Sequence, residues 1–191
     1  PASWFWSDAP GSDIWYGWTT GAGSPSSEQA ELAIKFYQSV AGTGTDPRTA
    51  NISLTGHSLG GGLAGFIGDL YHKTGVLFDN MAFELAADKT YAYATVINTL
   101  IPDLKNLVYG TATPWDTSIY GLKSIYVDGE VLAIDRVFQD TPQSKINLAA
   151  DNSLSSVDKH SMSLLTIMLY ADRSITSTQW QPAGKFLLSA L

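Results

Sequence analysis

Several stretches of the chain carry a helical period of apolar residues, and shorter ones between them read as strands. After the start signals Ser24, Pro25 and Ser26, with acidic Glu28 and Glu31 in the opening turns, Ala30, Ala33, Ile34, Tyr37 and Val40 recur at helical spacing, and Gly42 ends the run. Ile52 and Leu54 alternate in a short strand that runs into Gly56. Leu63, Phe66, Ile67 and Leu70 then restore the helical period, although five glycines between Gly60 and Gly68 are poor helix formers, each about 1 kcal/mol worse than alanine. A tertiary demand must require them.

Further on, Met81 to Ala87 reads as a second strand and Thr90 to Val108 as a helix interrupted near Pro102. Leu122 to Val127 alternates as a third strand, and Asp140 to Ser156 reads as polar connection. Met162 to Tyr170 is a helix with Leu165, Met168 and Leu169 toward the core, and Lys185 to Leu191 a last short helix. Residues 1–23 carry turn signals around Trp4, Trp6, Trp15 and Trp18, with a short strand at Asp13 to Trp18. Strands alternating with helices indicate an α/β fold with a mainly parallel sheet and helices on both faces. The 191 residues suit one domain, 1–191.

Composition narrows the function classes. Eleven Lys and Arg against eighteen Asp and Glu give a net charge of -7 with no basic run, which argues against a nucleic-acid partner. The absence of cysteine excludes disulfides, thiolate zinc sites and a cysteine nucleophile. No stretch approaches the roughly 18 consecutive apolar residues of a membrane span. The clustered tryptophans suit core packing first and a lipid-facing surface second.

The chemistry centres on NISLTGHSLGGGLAG, Asn51 to Gly65. Gly56-His57-Ser58-Leu59-Gly60 satisfies G-x-S-x-G between an expected strand and an expected helix, the context that gives this motif its meaning. Such a turn is strained, and side chains at Gly56 and Gly60 are expected to collide with neighbouring backbone. It presents Ser58 Oγ at the strand's carboxyl end, where the Leu59 N–H and the helix dipole could receive an oxyanion. No Gly-Lys-Ser/Thr follows, so a phosphate loop is the poorer reading.

A serine nucleophile needs a base, and only three histidines exist. His57 adjoins Ser58, and its side chain is expected to diverge from the serine. His72 lies about 21 Å along the helix at 1.5 Å per residue. His160 remains, after the strands and ahead of the last long helix, completing the order serine, acid, histidine. The acid should follow a strand. Glu130 and Asp128 both follow Val127, Asp88 follows Ala87, and Asp128-Gly129 also suits a two-residue hairpin turn that would leave both acids structural. Asp158 reads as a solvated or capping residue.

These residues resemble the class 3 lipases and related bacterial lipase-like domains, which are α/β-hydrolases acting on acylglycerols, phospholipids or simpler esters. TGHSLGG carries the likeness most specifically. WYGW at Trp15 to Trp18 resembles that family's histidine-x-glycine-phenylalanine segment, GEVL at Gly129 to Leu132 its acid loop, and DKHSM at Asp158 to Met162 its terminal histidine segment. The resemblance implies Ser58 as nucleophile, Glu130 as acid in place of the usual aspartate, His160 as base, no metal or organic cofactor, an acyl ester or lipid substrate with transient contact to lipid surfaces, and an extracellular location. The chain departs from the family in lacking the arginine-glycine-threonine turn that supplies a second oxyanion donor. The expectation from that departure is a domain whose Pro1 lies just after a central strand. A hydrolase-like binding or targeting module without catalysis is the competing expectation.

Overall fold

The computed structural model describes residues 28–42, 47–87, 121–134, 136 and 144–174. Within them run helix α1 (Glu28–Ala41), strand β1 (Leu54–His57), helix α2 (Ser58–Tyr71), strand β2 (Gly75–Phe78), strand β3 (Leu122–Val127), strand β4 (Ser144–Leu148), the four-residue helix α3 (Ser156–Lys159) and helix α4 (Met162–Ser174). Single 3-10 turns occupy Pro47–Thr49 and Val131–Ala133. The four strands form one parallel sheet in the order β1-β2-β3-β4. An α/β architecture follows, since parallel strands require crossovers and covered faces.

Period-two alternation assigns the two sheet faces. Leu77 and Leu122 join a core with Ala30, Ile34 and Tyr37 of α1 and Phe66, Ile67 and Leu70 of α2. Their out-of-phase neighbours Phe78, Ile125 and Val127 join a second core with Leu164, Leu165 and Met168 of α4. Helices therefore cover both faces. Val40, expected on the buried face of α1, is mostly exposed and lines an apolar groove of about 570 Å³ with Leu32, Phe36, Leu54 and Leu63. The groove runs beside β1, which pairs only with β2 among the described residues.

Glycine earns its place in α2 by close approach. A side chain at Gly65 would overlap the ring of Phe83, which is fully buried against the helix. Full burial of such a ring contributes roughly 1.5–3 kcal/mol, more than the helix loses through one glycine.

Two expected elements differ. The second strand is not Met81 to Ala87 but β2, four residues long and immediately upstream; residues 84–87 make a single helical turn. Met81, Ala82, Phe83, Ala86 and Ala87 are buried because they pack on α2, and a continuous apolar run does not by itself distinguish that from a buried strand. The expected polar connection at Asp140 to Ser156 contains β4, whose Lys145, Ile146 and Asn147 are exposed at the sheet edge. The strand at Asp13 to Trp18, the helix at Thr90 to Val108, the tryptophan cluster, Asp88 and the helix at Lys185 to Leu191 lie outside the described residues.

Candidate active site

The parallel register brings the carboxyl ends of the strands to one edge: His57 pairs with Phe78, and Phe78 with Ile125. The segments leaving that edge carry Ser58, Asp79 and Glu130, where α/β sheets place their ligands and chemistry. β1 passes into α2 without a linker, and Ser58 takes φ 56°, a left-handed conformation costly for any residue but glycine. A side chain at Gly56 would collide with the Gly60 carbonyl, as the motif requires. Gly60 does not behave as expected: a Cβ there meets no described atom within 4 Å. The constraint on the turn comes from Gly56, two residues before the serine, while Gly60, two residues after it, faces the groove.

Ser58 Oγ lies 2.8 Å from His160 Nε2, and His160 Nδ1 lies 2.6 Å from Glu130 Oε2. An ionised carboxylate only accepts, so Nδ1–H donates to Glu130 and Nε2 accepts from the serine hydroxyl. His160 is the C-cap residue of α3, and at the start of that helix Ser155 is the N-cap, its hydroxyl donating to Asp158 Oδ2 at 2.6 Å. Asp158 is exposed inside the first turn, and its backbone N–H donates to the Ser155 hydroxyl that caps the helix.

Of the carboxylates expected after β3, the fold brings Glu130 to the histidine and leaves Asp128 exposed in the turn. Asp128-Gly129 is no hairpin: β3 pairs with β4 in parallel, the Asp128 N–H donates to Leu148 O at 2.8 Å, and Gly129 takes φ 75°. The turn instead folds the chain inward, so that Glu130, only 2 % exposed, points beneath His160. Burial alone would raise the Glu130 pKa, but hydrogen bonds from His160, the Leu132 N–H at 2.7 Å and Arg136, together with the Arg136 charge, hold it below the usual value. Arg136 is fixed in turn by donating to Asn80 O at 2.8 Å and by lying 3.9 Å over the Tyr126 ring.

His72 sits in a left-handed C-cap at the far end of α2, as its spacing implies. His57 is engaged with the base: its Nε2–H donates to the His160 carbonyl at 2.9 Å, and the rings stack at a tilt with centroids 4.7 Å apart. Burial first, then the neighbouring His160, lowers the His57 pKa and favours the neutral ring.

Sequence reasoning missed one further carboxylate. Asp79 directly follows β2, is fully buried and takes φ 39°. Its Oδ1 accepts from the Val127 N–H at 2.7 Å, while Oδ2 has no hydrogen-bond partner among the described residues. One Asp79 oxygen and one ring nitrogen each of His57 and His160 lie within 4.8 Å of one another. A metal ion held by these three would have to take a His160 nitrogen already bonded to Ser58 or Glu130, or the His57 Nε2 that donates to a carbonyl with its Nδ1 left as the alternative. The set therefore suits proton chemistry better than a resident ion.

At the start of α2 the Leu59 N–H is among the first amides of the helix, which have no intrahelical acceptor and lie at the positive end of the dipole. Ser58, His160, Glu130 and the Leu59 N–H thus lie together at one edge of the sheet. Compared with known proteins, the chain matches no family model and no curated sequence. Among the described residues, no helix is long and apolar enough to cross a membrane.

Proposed function

We propose that this chain is a carboxylic ester hydrolase of the α/β-hydrolase type, related to the class 3 lipases and acting through an acyl-serine. The unbroken relay from Ser58 through His160 to Glu130 carries the reading. Ser58 Oγ attacks the acyl carbonyl carbon as its proton passes to His160 Nε2, and the carbonyl oxygen becomes an oxyanion facing the Leu59 N–H. Collapse breaks the bond to the alkoxy group, which leaves as the alcohol with the proton from His160. Water then gives a proton to His160 and attacks the acyl carbon, and collapse releases the acid and restores Ser58 with its proton.

Glu130 holds Nδ1–H in place and stabilises the imidazolium formed at each step. The apolar groove beside the serine turn suits an acyl or lipid substrate. On this reading the protein works outside the cell and contacts lipid surfaces transiently.

A non-catalytic binding module is the second reading, favoured by the same groove and by Phe36, 71 % exposed on α1. A chromogenic short-chain ester separates them: hydrolysis by the parent and none by Ser58→Ala supports the enzyme, whereas equal release by both contradicts it.

A further inference from the structure

We propose that Asp79 is a positioning residue of the proposed hydrolase, a second carboxylate whose charge supports the His57–His160 pair alongside Glu130. This rests on the reading of Ser58, His160 and Glu130 as a relay.

Asp79 departs from an ordinary structural aspartate in three respects. A carboxylate is rarely buried without pairing, yet Asp79 is 0 % exposed and, among the described residues, leaves Oδ2 without a partner. Its backbone occupies the left-handed region, a strain that persists only where the surrounding structure enforces it and that gathers at functional sites. The side chain also lies at the same carboxyl edge as the relay, with one oxygen within 4.8 Å of a nitrogen of each histidine. The tie to the Val127 N–H accounts for one oxygen only, and an asparagine would make it equally well.

The groups acting on Asp79 are Glu130 from the loop after β3, Arg136 beyond the 3-10 turn and His160 after α3, and His57 lies beside it at the end of β1. Burial raises its pKa to about 6, with Glu130 adding to the rise and the Val127 N–H, His160 and Arg136 opposing it. Near neutral pH Asp79 is thus mostly ionised, and each transfer of the Ser58 proton to His160 creates a cation beside it. The carboxylate favours that cation without touching the reacting atoms. Proton and electron bookkeeping stay with Ser58 and His160.

The test is the rate of Ser58 modification by a fluorophosphonate in the parent, Glu130→Gln, Asp79→Asn and the double variant, with His160→Ala as the floor. Asparagine keeps the acceptor and tolerates the left-handed backbone, so the substitution removes charge alone. A lone triad acid costs about 10⁴-fold when lost. With Asp79 in support, Glu130→Gln loses only about 10² to 10³-fold, and adding Asp79→Asn costs at least about a further tenfold. The second substitution also moves the acid limb of the rate profile to lower pH, because removing an anion disfavours protonation of the base beside it.

A merely structural Asp79 leaves that limb in place. Equal rates and profiles in Glu130→Gln and the double variant, or a Glu130→Gln rate no higher than the His160→Ala floor, overturn the proposal while leaving the hydrolase reading intact. A folded parent that is not modified overturns both. A second arm needs no Asp79 variant: carboxyl-carbon NMR should show Asp79 titrating at higher pH in His160→Gln than in the parent, and an unmoved midpoint overturns the coupling.

Discussion

His57 donates from Nε2 to the backbone carbonyl of His160, 2.9 Å away, so the residue before Ser58 holds the segment that carries His160. The contact ties β1 to the end of α3 across the site and stacks one ring on the other. Its replacement should disturb the base without removing any group that reacts.

His57→Ala is therefore expected to lower kcat about five- to tenfold with little change in KM, the scale of one hydrogen bond made in a positioned site. His57→Gln, which can still donate to the carbonyl, should recover part of the loss. Steady-state kinetics of the two variants check this, and an unchanged kcat in His57→Ala would show that His160 is held by other contacts.

Glu130 and Asp128 stand two residues apart and should behave oppositely. Glu130→Gln should reduce kcat at least about a hundredfold, because the tautomer and charge of the base depend on it. Asp128→Asn, altering an exposed turn residue, should stay within about twofold of the parent. The reverse ranking would contradict the assignment of the acid.

Asp79 should cost the fold what it contributes to the site. Its folded-state pKa is raised from 3.8 to about 6, so the charged form is penalised by folding. That penalty is absent below the unfolded value near 3.8, grows as pH rises, and is complete above about 6. The shift corresponds to on the order of 3 kcal/mol. Asp79→Asn is expected to unfold at a temperature a few degrees above the parent at pH about 8 and close to the parent at pH about 4. Thermal melts at the two pH values measure the difference, and a gap that does not grow with pH would speak against a buried, ionised Asp79.

Much of the site was legible because its chemistry is local or scarce. Ser58 sits in a five-residue motif between a strand and a helix, and three histidines left His160 as the base once His57 and His72 were placed. Only the resemblance favoured Glu130 over Asp128 and Asp88; the residues themselves left the acid open, since the choice between Glu130 and Asp128 depends on whether β3 turns back as a hairpin or continues inward beside the parallel β4. Asp79 was missed because the apolar run at Met81 to Ala87 outweighed the four-residue β2 that places it. Arg136 and the engagement of His57 carry no local signal, as both depend on partners far along the chain. β4, the last strand of the sheet among the described residues, was hidden by its exposure, which leaves little apolar alternation to read.

The most direct test of the central claim is intact-mass measurement of the parent and Ser58→Ala after exposure to a fluorophosphonate. An assembled nucleophile, base and oxyanion site yields a single phosphonyl adduct on the parent and none on Ser58→Ala. A folded parent that gains no mass, or an adduct that persists in Ser58→Ala, contradicts the account.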